Sequence, residues 1–213
     1  MKALVTGFDP FGGDTVNPSS LAVGRVRQRI GGLTIHTAEL PTSYANSAAV
    51  LRAALDEMKP DIVLCVGQAG GRTELSLERV AINVQDARIR DNDGNQPIDR
   101  PVVEGGPAAH FATLPVKACV AALREAGLPA GVSNTAGTFV CNHIFYALME
   151  MAQERSGSMR GGFLHIPYVP EQAARLGGAP SMALDDIVRG IEIILEVSAS
   201  RTDDLRLAEG RIS

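Results

Sequence analysis

Ile62-Val-Leu-Cys-Val-Gly67 is a continuous apolar run with no polar alternation. It is too short for a helix and lacks a solvent face, which is the pattern of a central strand covered on both sides. A strand covered above and below needs helices on both faces, so this run decides the fold class: α/β, built as three layers, α/β/α. The segments on either side agree. Strand-like runs occupy residues 3–6, 33–38, 80–84 and 162–166, with 131–135 as a weaker candidate. Helical patterns lie between them. The turn-like Asn17-Pro18 feeds a helix over 21–30, and a second helix over 43–58 stops at Lys59-Pro60. An Ala-rich stretch at 107–126 ends at Gly127, and 141–153 reads as a helix. From Ser181 onward Leu184, Ile187, Val188, Ile191, Ile194 and Leu195 form one apolar stripe, which reads as core packing. Residues 88–106 lack periodicity, hold a turn at Asp91-Asn-Asp-Gly94, and have the texture of a binding loop.

The 213 residues carry 45% hydrophobic and 21% charged side chains, enough for one domain over 1–213, with 201–213 expected as a polar, poorly ordered tail. A net charge of −4 without any basic cluster argues against nucleic acid as a partner. No apolar run approaches the ~18 residues that span a bilayer. The apolar start is cut short at Gly7, too early for a signal peptide, so a cytoplasmic location is expected. Three cysteines without a C-x-x-C pair make a disulfide framework or structural zinc site an unfitting reading, and no metal is expected.

Chemistry concentrates in Gly137-Thr-Phe-Val-Cys-Asn-His-Ile-Phe-Tyr-Ala-Leu-Met-Glu150, a glycine-containing loop running into a helix with a thiol at the junction. Unpaired N–H groups and the helix dipole at that junction favour thiolate, the nucleophilic form. A buried Cys in a helix start is also ordinary core. A thiol nucleophile needs a base, and histidine serves best near neutrality. His36 lies in a strand and His110 in the Ala-rich helix, and neither fits. His143 stands two positions from Cys141, and residues two apart on a helix do not face each other. His165 ends a strand ahead of Pro167, where open α/β sheets bind ligands, and is the best base. An orienting carboxylate is needed next. Glu78, Glu74, Asp86 and Asp91 compete, and composition does not choose among them. Gly12-Gly13 and Gly70-Gly71 match neither the P-loop nor the dinucleotide spacing. A different amide substrate, an anion-binding α/β protein and an inactive binding module all remain open on these grounds.

Five stretches taken together resemble the pyroglutamyl peptidase type I family, the cysteine peptidases also called pyrrolidone-carboxylate peptidases. They are Thr6-Gly-Phe-Asp-Pro-Phe-Gly-Gly13 with Asn17-Pro-Ser19, Val66-Gly-Gln-Ala-Gly-Gly-Arg72, Glu78-Arg-Val-Ala-Ile-Asn83 with Asp86-Ala-Arg-Ile-Arg-Asp-Asn92, Gly137-Thr-Phe-Val-Cys-Asn142, and Gly162-Phe-Leu-His-Ile-Pro-Tyr168. The resemblance spans residues 1 to about 195. It implies a twisted mixed central sheet and a triad of Cys141 as nucleophile, His165 as acid/base and Glu78 as orienter. It also implies oxyanion donors from the Cys141 N–H and Arg88. Phe8, Phe11, Ile89, Phe139 and Val140 would wall the pocket, with Asn17 and Gln68 as polar contacts. The implied substrates are pyroglutamyl-blocked peptides, with no cofactor and a homotetrameric assembly. Without the family, Phe8 and Phe11 read as core.

Overall fold

The structure, a computed structural model, describes residues 1–210. In chain order its elements are β1 (Lys2–Phe8), α1 (Pro18–Val23), β2 (Arg29–Ile30), β3 (Leu33–Leu40), α2 (Ser47–Met58), β4 (Ile62–Gln68), β5 (Leu75–Glu78), β6 (Val80–Ile82), β7 (Ala109–Phe111), α3 (Val116–Glu125), β8 (Ala130–Ser133), α4 (Val140–Glu154), β9 (Arg160–Ile166), α5 (Pro170–Arg175) and α6 (Leu184–Ser200). Seven strands form one sheet in the order β2-β3-β1-β4-β9-β5-β8. β3, β1, β4 and β9 run parallel, while β5 is antiparallel to β9 and takes β8 with it. The sheet is therefore mixed, and its direction reverses between β9 and β5.

The apolar run 62–67 lies in the central strand β4, and residues 62–66 are fully buried. Its side chains alternate between two cores. Ile62, Leu64 and Val66 meet apolar side chains of α1, α3 and α6, whereas Val63 and Cys65 meet those of α2 and α4. Each fully buried Val, Leu or Ile contributes roughly 1.5–3 kcal/mol. This two-sided burial is the three-layer arrangement, and the α6 stripe is core packing as expected.

Several boundaries differ from the sequence reading. The first helix stops at Val23, because Ile30-Gly31-Gly32-Leu33 is a two-residue hairpin that pairs β2 with β3, with Gly31 at φ 55. The Ala-rich segment is not helical before Val116. Residues 109–111 pair antiparallel with 80–82 as a small second sheet, so His110 stands on a strand. Strand pairing there overrides the helix preference of alanine. The run 80–84 belongs to that side sheet, and the central-sheet strand is the preceding Leu75–Glu78. Nor is the described part of the tail loose. Asp204 accepts from the N–H groups of Lys117 (3.1 Å) and Ala118 (2.9 Å), capping α3, whose own N-cap residue, Pro115, makes no side-chain cap. Glu209 pairs with Arg124 and its carbonyl accepts from Arg79 at 2.6 Å. Residues 211–213 lie outside the described residues. Among those described, no helix is long and apolar enough to cross a membrane.

Candidate active site

β4 and β9 lie side by side with Gly67 opposite His165. On the other flank of β9, antiparallel β5 sets Ser76 opposite His165 and Glu78 opposite Phe163. Strand side chains repeat every second residue, so Gly67, Phe163, His165 and Glu78 share one face, the face on which α4 packs. α4 begins at Val140, so Cys141 is its second residue. A Cβ built on Gly67 would stand 2.9 Å from the Cys141 Sγ and 2.9 Å from the Phe163 ring. The sulfur thus rests on bare backbone, beside the strand position paired with His165.

His165 Nδ1 and Glu78 Oε1 are 2.7 Å apart, both buried. An ionised carboxylate only accepts, so Nδ1 carries the ring proton and Nε2 keeps a lone pair for a proton from sulfur. Arg72, on the loop after β4, places Nη1 3.0 Å from the same Oε1, and its Nη2 donates to Thr135 O at 3.2 Å. Phe163 packs on the His165 ring at 4.9 Å between centroids and also touches Phe8 and Phe145, forming an aromatic wall.

The helix start favours thiolate through the Cys141 N–H, which lowers the half-buried thiol, but stronger effects oppose it. Burial, then the Glu78 charge, push the Cys141 thiol up to about 12, and Arg72 only partly offsets them. Burial also lowers the His165 imidazole below its ordinary value, against the pull of Glu78. Desolvation outweighs the dipole, which is worth about 0.3–1 kcal/mol. The resting pair is therefore a neutral thiol and a neutral imidazole beside a carboxylate, an arrangement suited to proton transfer from sulfur to ring.

The expected pocket residues divide. Phe11 and Phe139 are half-buried and pack at 6.1 Å, and Tyr44 meets Phe139 edge-on at 5.6 Å while its hydroxyl donates to Thr138 O at 3.0 Å. Ile89 and Arg88 stand exposed on the loop beyond Ala87. Gln68 ends β4 half-buried and accepts from Gln172 at 3.0 Å. Phe8 and Val140, by contrast, are buried side chains of the α2–α4 core. Asn17 is also turned inward. Its Oδ1 caps α1 through Ser19 N (3.0 Å) and its Nδ2 donates to Asp9 O (2.9 Å). His143 bonds Gln85 at 2.9 Å through Nδ1, away from the thiol. Sequence reasoning missed Arg72, Gly67 and Asn142. Arg72 and Gly67 lie in the segment 66–72, which carries no signal of what they touch. Asn142, beside Cys141, clamps β6 and the residues after it through Ile82 N (3.0 Å), Ile82 O (2.8 Å) and Val84 O (3.0 Å). Among the described residues no group of three or more His, Cys, Asp or Glu could hold a metal ion.

A mixed α/β sheet that gathers a helix-start cysteine, a buried histidine and a buried carboxylate on one face defines the class of cysteine hydrolases. Within that class the chain belongs to the pyroglutamyl peptidase family, whose sequence profile matches residues 1–201. It is 55% identical to a pyrrolidone-carboxylate peptidase of Erwinia tasmaniensis over 98% of both chains. It is 53% identical to the protein of the same name from Brevibacillus brevis, over 99% of this chain and 98% of that one. The crystal structure of pyroglutamyl peptidase I from Bacillus amyloliquefaciens superposes with a TM-score of 0.95 at 49% identity, covering 97% of this chain and 99% of that one. Pyrrolidone carboxyl peptidase from Thermococcus litoralis gives 0.92 at 38% identity, over 97% and 99%.

Proposed function

We propose that this protein removes an N-terminal pyroglutamyl residue from peptides, with Cys141 as nucleophile, His165 as acid/base and Glu78 as orienter. The observation that carries the reading is the 2.7 Å bond from buried Glu78 to His165 Nδ1, with the Cys141 sulfur seated on the Gly67 backbone opposite His165. Pyroglutamate is an uncharged lactam, so its pocket wants flat apolar walls and few polar groups. Phe11, Phe139 and Ile89 supply the walls, and Gln68 supplies an amide. Proton transfer to His165 Nε2 accompanies attack of sulfur on the carbonyl that joins the lactam ring to the next residue. The oxyanion is met by the N–H of Cys141 at the helix start, and Arg88 is the second donor carried over from the family resemblance. His165 then protonates the leaving amine, which leaves a pyroglutamyl thioester. Water activated by His165 releases pyroglutamate and restores the thiol.

The proposal includes one catalytic domain, a cytoplasmic location and assembly as a homotetramer, carried over from the same resemblance. Exposed Phe111 and Ile98 offer apolar surface for such an assembly. The test is hydrolysis of a pyroglutamyl-arylamide beside a free-amine aminoacyl-arylamide, with and without iodoacetamide. Turnover of the first alone, abolished by alkylation and by Cys141→Ala, is expected. Turnover of both substrates, or turnover that survives in Cys141→Ala, overturns it.

A further inference from the structure

We propose that Arg72 is a positioning residue for this reaction: its guanidinium keeps the Glu78 carboxylate charged and aimed at His165, and so sets the pH window of catalysis. The proposal rests on the peptidase reading above.

Glu78 is fully buried, and a carboxylate in such a place neutralises unless a cation or several donors hold its charge. Its Oε1 meets His165 Nδ1 and Arg72 Nη1, while Oε2 is buried without a hydrogen-bond partner. The histidine must be neutral to act as a base, so the guanidinium is the charge that balances the carboxylate. The same guanidinium donates to Thr135 O, in the loop that leads to Cys141. One planar fork thus ties the loop after β4, the carboxylate on β5 and the approach to the nucleophile helix, a task that suits arginine better than lysine.

With the cation gone, the buried carboxylate has no balancing charge, and burial favours its neutral form. A protonated Glu78 donates to Nδ1, which drives the ring proton to Nε2, the wrong tautomer for accepting from sulfur. The groups that face one another here are Glu78 on β5, His165 on β9, Cys141 on α4, Cys65 on β4 and Tyr44 ahead of α2. Glu74 lines the same cavity as Arg72. Arg72 lowers both the imidazole and the thiol, so its loss raises both. All three effects move activity to higher pH. That cavity, about 1220 Å³, is bordered by Ser133, Asn134 and Thr135, and the Arg72 side chain is 26% exposed. A small cation can therefore enter where the guanidinium is removed.

The experiment compares kcat/KM against pH for pyroglutamyl-arylamide hydrolysis by the wild type, Arg72→Lys, Arg72→Gln and Arg72→Ala. Arg72→Gln is expected to lose about 100-fold at neutral pH, mostly in kcat, and to recover part of it as pH rises. Arg72→Lys should lose less, and millimolar guanidinium should restore Arg72→Ala about 10-fold or more while leaving Cys141→Ala inactive. A profile that overlays the wild type, or a pH-independent loss without guanidinium rescue, overturns the proposal. Should the neutral variants fail to fold, an unshifted Arg72→Lys profile overturns it. The pH dependence of iodoacetamide alkylation at Cys141 separates the two claims. If the wild type turns over no pyroglutamyl substrate, the peptidase reading fails, while an alkylation profile shifted upward in the Arg72 variants still upholds the charge relation.

Discussion

Gly67 has no side chain, and that vacancy is the seat of the Cys141 sulfur. An added Cβ at 2.9 Å from both Sγ and the Phe163 ring forces one of them to shift, and the packed ring has less room to yield than the thiol. Gly67→Ala should fold and bind substrate but lose kcat by about 10²-fold, the penalty of displacing a reacting atom by an ångström. An unchanged kcat would show that the sulfur reacts from another position. The protonation states set a second expectation. Because burial lowers His165, the imidazole stays neutral on the acid side of 6.5, its ordinary value, and is lost as base only when pH falls through its lowered one. The acid limb of the wild-type kcat/KM profile should therefore lie below 6.5. A limb above that value would mean that Glu78 outweighs burial. Cys141 and His165 stood out in the sequence because a loop-to-helix junction and a strand end are both local patterns. Glu78 did not separate from Glu74, Asp86 and Asp91 until the family resemblance entered. Choosing among them requires knowing which carboxylate meets the imidazole, a contact between β5 and β9 that spacing does not encode. The structure employs Asp91 otherwise: its carboxylate accepts from the N–H groups of Tyr44 (2.8 Å), Asp93 (3.0 Å) and Asn95 (2.7 Å), fixing the turn at Gly94.

At the scale of elements, legibility follows how much of each element's environment lies in its own periodicity. β4 was readable because both of its faces are apolar, and α6 because one stripe is. β5 was not, since its two polar residues, Ser76 and Glu78, are buried on the side where the site lies. Such alternation looks like a half-exposed strand, and a buried carboxylate is a functional exception to hydrophobic patterning. The Ala-rich stretch misled for the opposite reason: local helix preference is worth a fraction of a kcal/mol per residue and yields to pairing with β6. The tail shows the same limit. Its polarity suggested disorder, yet Asp204 caps a helix that has no side-chain cap of its own. Asp204→Ala should destabilise the protein by about 1 kcal/mol in urea unfolding and leave kcat unchanged. Wild-type stability in that variant would show that the tail contributes nothing to α3.

The whole molecule carries a further consequence of its buried rings. His143 lies inside the α2–α4 layer, edge-on to Tyr44, and burial pushes its imidazole down to about 4. Its Nδ1 accepts from the Gln85 amide, so protonation would set two donors against each other. His165 is lowered as well. In the unfolded chain both rings take protons near 6.5, their ordinary value. Between that value and the lowered ones the unfolded state binds more protons than the folded state, so stability falls as pH falls. From neutral pH down to 6.5 these two rings should leave stability flat, and below it stability should drop. His143 alone accounts for about 3 kcal/mol by pH 4, taking 1.4 kcal/mol per unit. Urea unfolding across this range should show the drop, and His143→Gln should make the slope shallower by one proton while the acid limb of kcat/KM stays in place. A wild-type stability that stays level to pH 4, or a variant slope equal to the wild type, would mean that the ring is charged inside the folded protein. Acid is expected to act on activity through His165 and on stability through both rings. The exclusion of water that keeps His165 neutral makes a neighbouring histidine, His143, a liability in acid.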